Sequence, residues 1–171
     1  MPLFADTPDP EEDRLFQAAL RYLAVRPRSV REMTQYLAKK KPDKAVINRI
    51  IERLNRYRYL DDEAFARSFI ENRKRHNPKS GYALTHELKQ KGISTRIISE
   101  LLNDYDDVQM ACLALKKRFR QWHHLDQETR QKKAVNYLRY RGFGYAAVQS
   151  AWEQVSTGPH PENDGSGPGE F

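Results

Sequence analysis

Lysines and arginines recur in this chain at set places around three leucines, Leu37, Leu88 and Leu138. Arg73, Lys74, Arg75 and Lys79 come before Leu88, and Lys89 and Lys91 follow it. Lys116, Lys117 and Arg118 come before Leu138, and Arg139 and Arg141 follow it. Cations in series bind phosphates or acidic protein patches, and each phosphate contact releases a condensed counterion. Any one of them taken alone reads as part of a solvated helix face. Their recurrence favours binding for the series.

Two stretches interleave arginine with tyrosine: Arg56-Tyr57-Arg58-Tyr59 and Tyr137-Leu138-Arg139-Tyr140-Arg141. Tyrosine stacks on unpaired bases while arginine holds the backbone. More often such tyrosines wedge between helices with the hydroxyl in water, and packing is the expectation here. Trp122, beside His123 and His124, is expected to anchor a loop, and Trp152 to lie in the core.

Catalysis finds little support. His123 and His124 are adjacent and lack the i, i+4 spacing of a zinc pair on a helix, and one cysteine, Cys112, offers no thiolate pair. His76 and His86 flank an expected loop without a carboxylate pattern. Asp61-Asp62 and Asp106-Asp107 are better explained as helix starts than as metal ligands. Cys112 falls on an apolar stripe, where a thiol is buried and inert. Neither an enzyme, a metal site nor a cofactor is expected.

The elements that carry these cations repeat. Leu88-Lys89-Gln90-Lys91-Gly92-Ile93-Ser94 reads as a helix end, a glycine in the left-handed position and a serine cap. Ile97, Ile98, Leu101 and Leu102 then share one face of the next helix. Counting from each of the three leucines, Lys40, Lys91 and Arg141 lie at one offset, and Ile50, Leu101 and Ala151 at another. A period of about fifty residues marks a repeat architecture. Around it, Ser29-Val30-Arg31-Glu32 forms a capping box, and Asp43 is expected to cap a third helix. No segment alternates with period two for long enough to be a strand.

The expectation is therefore an all-α fold of three tandem three-helix repeats, stacked into an elongated, curved array. Residues 14–58, 59–105 and 106–157 form the repeats, with the first helix opening near Arg14. Residues 1–13 are expected to be a disordered acidic terminus, and residues 158–171 a disordered tail or cloning remnant.

Charge sharpens the functional side. The 171 residues carry a net +7, but residues 1–13 hold five acids and residues 158–171 three, with no lysine or arginine in either. The stretch between is thus +15. Such a balance favours a polyanionic partner, nucleic acid or a protein filament assembled on it. No apolar run approaches the roughly 18–20 residues of a membrane helix, and no signal-peptide pattern opens the chain. With a single cysteine a reducing cytoplasm is expected, and the chain is expected to be a monomer that does not engage a membrane.

Four motifs carry a family resemblance: Arg26-x-x-Ser29-x-x-Glu32, Tyr59-Leu60-Asp61-Asp62-x-x-Phe65-Ala66, Leu88-x-Gln90-Lys91-Gly92-Ile93 and Leu138-x-Tyr140-Arg141-Gly142-Phe143. Over about Leu15 to Val155 the chain resembles the RecX family of bacterial regulators of the RecA recombinase. The resemblance implies a negative modulator that binds RecA filaments on single-stranded DNA. It would limit strand exchange, ATP hydrolysis and co-protease activity, and bind DNA weakly alone. The family usually has glycine where this chain has Lys41 and Arg58, so the first repeat is expected to end its helices differently. The alternative is a general basic helical DNA-binding protein without a dedicated protein partner.

On sequence alone, reversing Lys89 and Lys91 to glutamate is expected to weaken inhibition of RecA ATPase without unfolding the chain. Steady-state ATP hydrolysis by RecA on single-stranded DNA is the measurement.

Overall fold

The structure, a computed structural model, describes residues 9–40 and 42–157. Among them are nine α-helices and no strand: α1 Pro10–Val25, α2 Val30–Ala38, α3 Lys44–Arg56, α4 Asp62–His76, α5 Gly81–Gln90, α6 Thr95–Leu102, α7 Asp107–Phe119, α8 Gln127–Tyr140 and α9 Tyr145–Ser156. No helix among the described residues is long and apolar enough to cross a membrane.

By contacts the chain divides into two compact units. One takes the chain as far as Arg73 together with Leu84–Tyr105; the other takes Lys74–Ala83 and the chain from Asp106 onward. The first unit holds two apolar clusters. Phe16, Ala19, Met33, Leu37, Ile47, Ile50, Leu54 and Leu60 bury one, contributed by α1, α2, α3 and the turn between α3 and α4. Phe65, Ala66, Ile70, Leu84, Leu88, Ile93 and Ile98 bury the other. In the second unit, α7 and α9 bury Ala111, Leu115, Ala151 and Trp152, and the Phe119 and Trp152 rings meet edge to face at 5.9 Å. Trp152 is core, as expected. Trp122 meets the Tyr137 ring edge-on at 5.9 Å, the anchoring contact expected of it.

The first helix opens at Pro10, earlier than the expected Arg14. Asp9 accepts a hydrogen bond from the Glu11 N–H, Pro10 occupies the first turn, and Glu11, Glu12 and Asp13 lie at the positive end of the helix dipole. Glu12 then pairs with Arg49 and Asp13 with Arg53 of α3, each at 2.8 Å. The acidic composition that suggested disorder is a helix start. The first eight residues and residues 158–171 lie outside the described residues, as does Lys41.

The helix ends show how the triplets turn. Gly92 and Gly142 have φ of +83° and +86°, and the amides of Ile93 and Phe143 close back on the carbonyls of Leu88 and Leu138 at 3.1 and 3.2 Å. This is the glycine-closed helix end, in which a left-handed residue lets two free carbonyls find donors. The same closure ends α3 without glycine. Arg58 takes φ of 57°, and the Tyr59 amide reaches the Leu54 carbonyl at 2.9 Å. The expectation that α3 would end differently is thus corrected at Arg58. The hydrogen bonds and the burial of Leu54 and Leu60 hold an arginine where it costs about 1–2 kcal/mol.

Arg58→Gly is therefore expected to raise stability by about 1 kcal/mol. Gly142→Ala is expected to lower it by about 2–4 kcal/mol, since its Cβ would lie 2.6 Å from Ser80 Oγ and 2.9 Å from Ala83 Cβ. Urea melts of both variants check the pair.

Candidate basic interface

The first turn of any helix leaves amides without internal partners. At α2 these are satisfied from two directions. The Ser29 hydroxyl accepts from the Glu32 amide at 3.2 Å, and the Glu32 carboxylate returns to the Ser29 amide at 3.4 Å, completing the expected capping box. From the second triplet, Asp62 Oδ1 accepts from the Val30 amide at 2.8 Å, and the Ser29 hydroxyl donates to the Lys91 carbonyl at 2.7 Å. Ser29 is fully buried.

At α5 the seam is built again. Ser80, also fully buried, accepts from the Ala83 amide at 3.1 Å. Asp107 Oδ1 accepts from the Gly81 amide at 2.7 Å, and the Ser80 amide donates to the Arg141 carbonyl at 3.2 Å. The adjacent aspartates divide the work. Asp61 and Asp106 accept from Ala64 and Gln109 in their own helices, while Asp62 and Asp107 cap the second helix of the triplet before.

This geometry sorts the cations of the binding series. Lys91 Nζ pairs with Glu32 at 2.6 Å. The Arg141 guanidinium donates to Asn77 and to the Pro78 carbonyl, and lies 4.4 Å over the Tyr137 ring. Lys91 and Arg141 occupy the same repeat offset, and both hold a seam. Arg73 pairs with Glu87 at 2.9 Å across α4 and α5 and stacks on Phe69. Lys117 donates to the Arg75 carbonyl at the end of α4, and Arg118 bonds Gln121 at 2.9 Å beside the Tyr137 ring. Lys74 and Lys79 are half-buried, each with a partner. Lys89, Lys116 and Arg139 are exposed and make no ion pair among the described residues.

The tyrosines depart from the packing expectation. Tyr57, Tyr59 and Tyr140 are 59%, 53% and 93% exposed. A helical stripe marks apolar residues as inward, but these three lie at or next to helix ends, where periodicity carries no face. Tyr137 does pack, between Trp122, Arg118 and Arg141. Cys112 is buried, its thiol faces Gln154, and burial pushes its pKa up despite Lys116.

The seam titrates in two directions. Burial alone would raise the Glu32 carboxyl, but hydrogen bonds from Lys91 and Arg26 outweigh it, and its pKa lies below the ordinary value. Burial raises the Asp62 carboxyl, the Val30 amide offsets part of this, and the charge of Asp61 adds to it.

Three family descriptions match the chain in order: "RecX, first three-helix domain" over residues 16–54, "RecX, second three-helix domain" over 61–102 and "RecX, third three-helix domain" over 104–152. The regulatory protein RecX of Chlorobium phaeobacteroides is 34% identical over 147 residues, 86% of this chain and 97% of that protein. The Bacillus subtilis protein of the same name is 32% identical over 143 residues, 82% of this chain and 54% of that longer protein. The crystal structure of RecX from Lactobacillus salivarius shares the fold at a TM-score of 0.71 and 22% identity, over 85% of this chain and 96% of that one.

Lys91→Glu would set two carboxylates against each other at the seam. It is expected to cost on the order of 1–2 kcal/mol, the partly exposed pair being screened by solvent, so the paired reversal proposed from sequence would not be neutral to stability. Since the Glu32 pKa is lowered on folding, the stability it contributes is present above the ordinary carboxylate pKa and is lost as pH falls through the lowered one. Asp62 has the opposite sign and is relieved of charge as pH falls. Glu32→Gln should therefore flatten the acid limb of a melting-temperature profile, and Asp62→Asn should steepen it.

Proposed function

The chain belongs to the RecX family, and on that premise we propose that it restrains RecA by occupying the RecA filament on single-stranded DNA. The cations that the seams leave outward, Lys89, Lys116 and Arg139, engage acidic patches of RecA or the phosphates of its DNA. Arg75, Lys74, Lys79, Lys117 and Arg118 add positive charge from the end of α4 and from α7. Joined in one chain, several weak contacts raise each other's effective concentration. Occupancy then limits strand exchange, ATP hydrolysis and access of co-protease clients, in the cytoplasm, with the protein acting as a monomer and without catalysis of its own.

One observation supports this most. The stretch Lys74–Ala83 with residues 106–157, which make up the described part of the second unit, holds twelve lysines and arginines against five acids. Folding consumes some of that charge, and Lys116 and Arg139 remain exposed without an ion partner among the described residues. The second reading, a DNA binder with no protein partner, draws on the exposed tyrosines.

A titration separates the two. Binding through RecA predicts much tighter association with the RecA–DNA filament than with bare oligonucleotide at moderate salt. A simple DNA binder predicts equal affinities and a steep salt slope. The triple reversal Lys89→Glu, Lys116→Glu, Arg139→Glu avoids both seams. It should stay folded, melting somewhat lower because three helix ends exchange a cation for an acid, and weaken inhibition of RecA ATPase by about tenfold or more; full inhibition by that variant would remove these cations from the mechanism.

A further inference from the structure

We infer that the α3–α4 turn, Arg56-Tyr57-Arg58-Tyr59, is a contact for unpaired nucleic acid, with the two tyrosines stacking on bases and the two arginines holding phosphates. Arg58 is the only non-glycine residue with positive φ among the described residues. Glycine would serve that turn without strain, as Gly92 and Gly142 do at theirs. The Arg58 side chain is exposed and forms no hydrogen bond, ion pair or ring contact among the described residues, and the same holds for Arg56. The backbone closure and the burial beneath it would serve glycine equally, and no contact of the guanidinium among the described residues favours arginine there, so what the side chain gains is sought in a partner.

The tyrosines point the same way. Tyr57 and Tyr59 are 59% and 53% exposed, large apolar surfaces left in water. Their ring centroids are 6.3 Å apart with planes tilted by 56°, a loose contact that leaves more than half of each side chain in water. The turn that carries them is fixed in advance: the Tyr59 amide is tied to the Leu54 carbonyl, and Leu60 is buried beneath it. The order Arg-Tyr-Arg-Tyr alternates cation and ring, which matches a strand that alternates phosphate and unstacked base. An acidic protein surface would use the arginines but has no need of two aromatic faces beside them. None of its four residues takes part in a seam or is among the cations assigned above. It deepens the function proposed above by naming a nucleic-acid contact, and its test omits RecA so that the two fail separately.

The experiment is fluorescence anisotropy of a labelled oligothymidine of about 20 nucleotides, long enough for a site of 4–16, with the full chain at low salt. An abasic oligonucleotide of equal length runs in parallel. The double variant Tyr57→Ala, Tyr59→Ala is expected to bind oligothymidine about 10–100-fold more weakly, with the abasic chain and the melting temperature unchanged. Arg58→Gly is expected to melt higher yet bind both oligonucleotides a few-fold more weakly. Wild-type affinity for oligothymidine in either variant overturns the assignment. So does an equal loss on the abasic chain by the tyrosine variant, which would show that the rings do not stack on bases. If tyrosine-dependent binding holds while RecA ATPase is untouched by wild-type chain, the filament reading fails and this one stands.

Discussion

The free amides at the start of α2 and α5 are the constraint on which the rest of the fold depends. Both helix starts are buried, at serines with no solvent contact. An unsatisfied buried amide costs on the order of 1–3 kcal/mol, so each start must find acceptors. In both cases the acceptor comes from the following triplet, as an aspartate at the head of its first helix. Its second helix adds a carbonyl from its glycine-closed end, which accepts a hydrogen bond from the Ser29 hydroxyl in one seam and from the Ser80 amide in the other. Apolar stacking alone would tolerate sliding between triplets. Directional bonds at the serine and the aspartate tie each helix start to one set of partners.

The seams also explain why a strongly basic chain does not present every cation. Lys91 is drawn to Glu32 and Arg141 to the turn before α5. Cation–ring stacking takes others: Arg28 lies 3.9 Å over Tyr22, which is itself stacked on Tyr36 at 4.0 Å, with Lys40 on the far ring. The arginines are thus divided between structural and outward roles, and the division follows from where the helix ends fall.

Much of this was legible in the residues. The three-leucine period, Ser29 with Glu32, Ser94 before α6 and the left-handed Gly92 are local signals, and each element formed where it was expected. Asp9-Pro10 was equally local, a cap followed by a first-turn proline, but the composition of its surroundings pointed the other way. The second aspartate of each pair was not legible as a cap for another helix, because its partner lies 32 or 26 residues away. The same distance concealed the bond between Ser29 and Lys91. Exposure of Tyr57, Tyr59 and Tyr140 escaped because helical periodicity assigns no face beyond the last turn. The repetition of Ser29 as Ser80, in one register and before one kind of turn, was the signal that could have exposed the seams.

Each seam points forward along the chain. What completes α2 is Asp62 and Lys91, and what completes α5 is Asp107 and Arg141. During synthesis the amino-terminal helices leave the ribosome first, at roughly 5–20 residues per second. For several seconds the nascent α2 has a buried-to-be terminus with no acceptor yet translated. Maturation of each early segment therefore waits on later codons, and each of the first two triplets is completed only by the one translated after it.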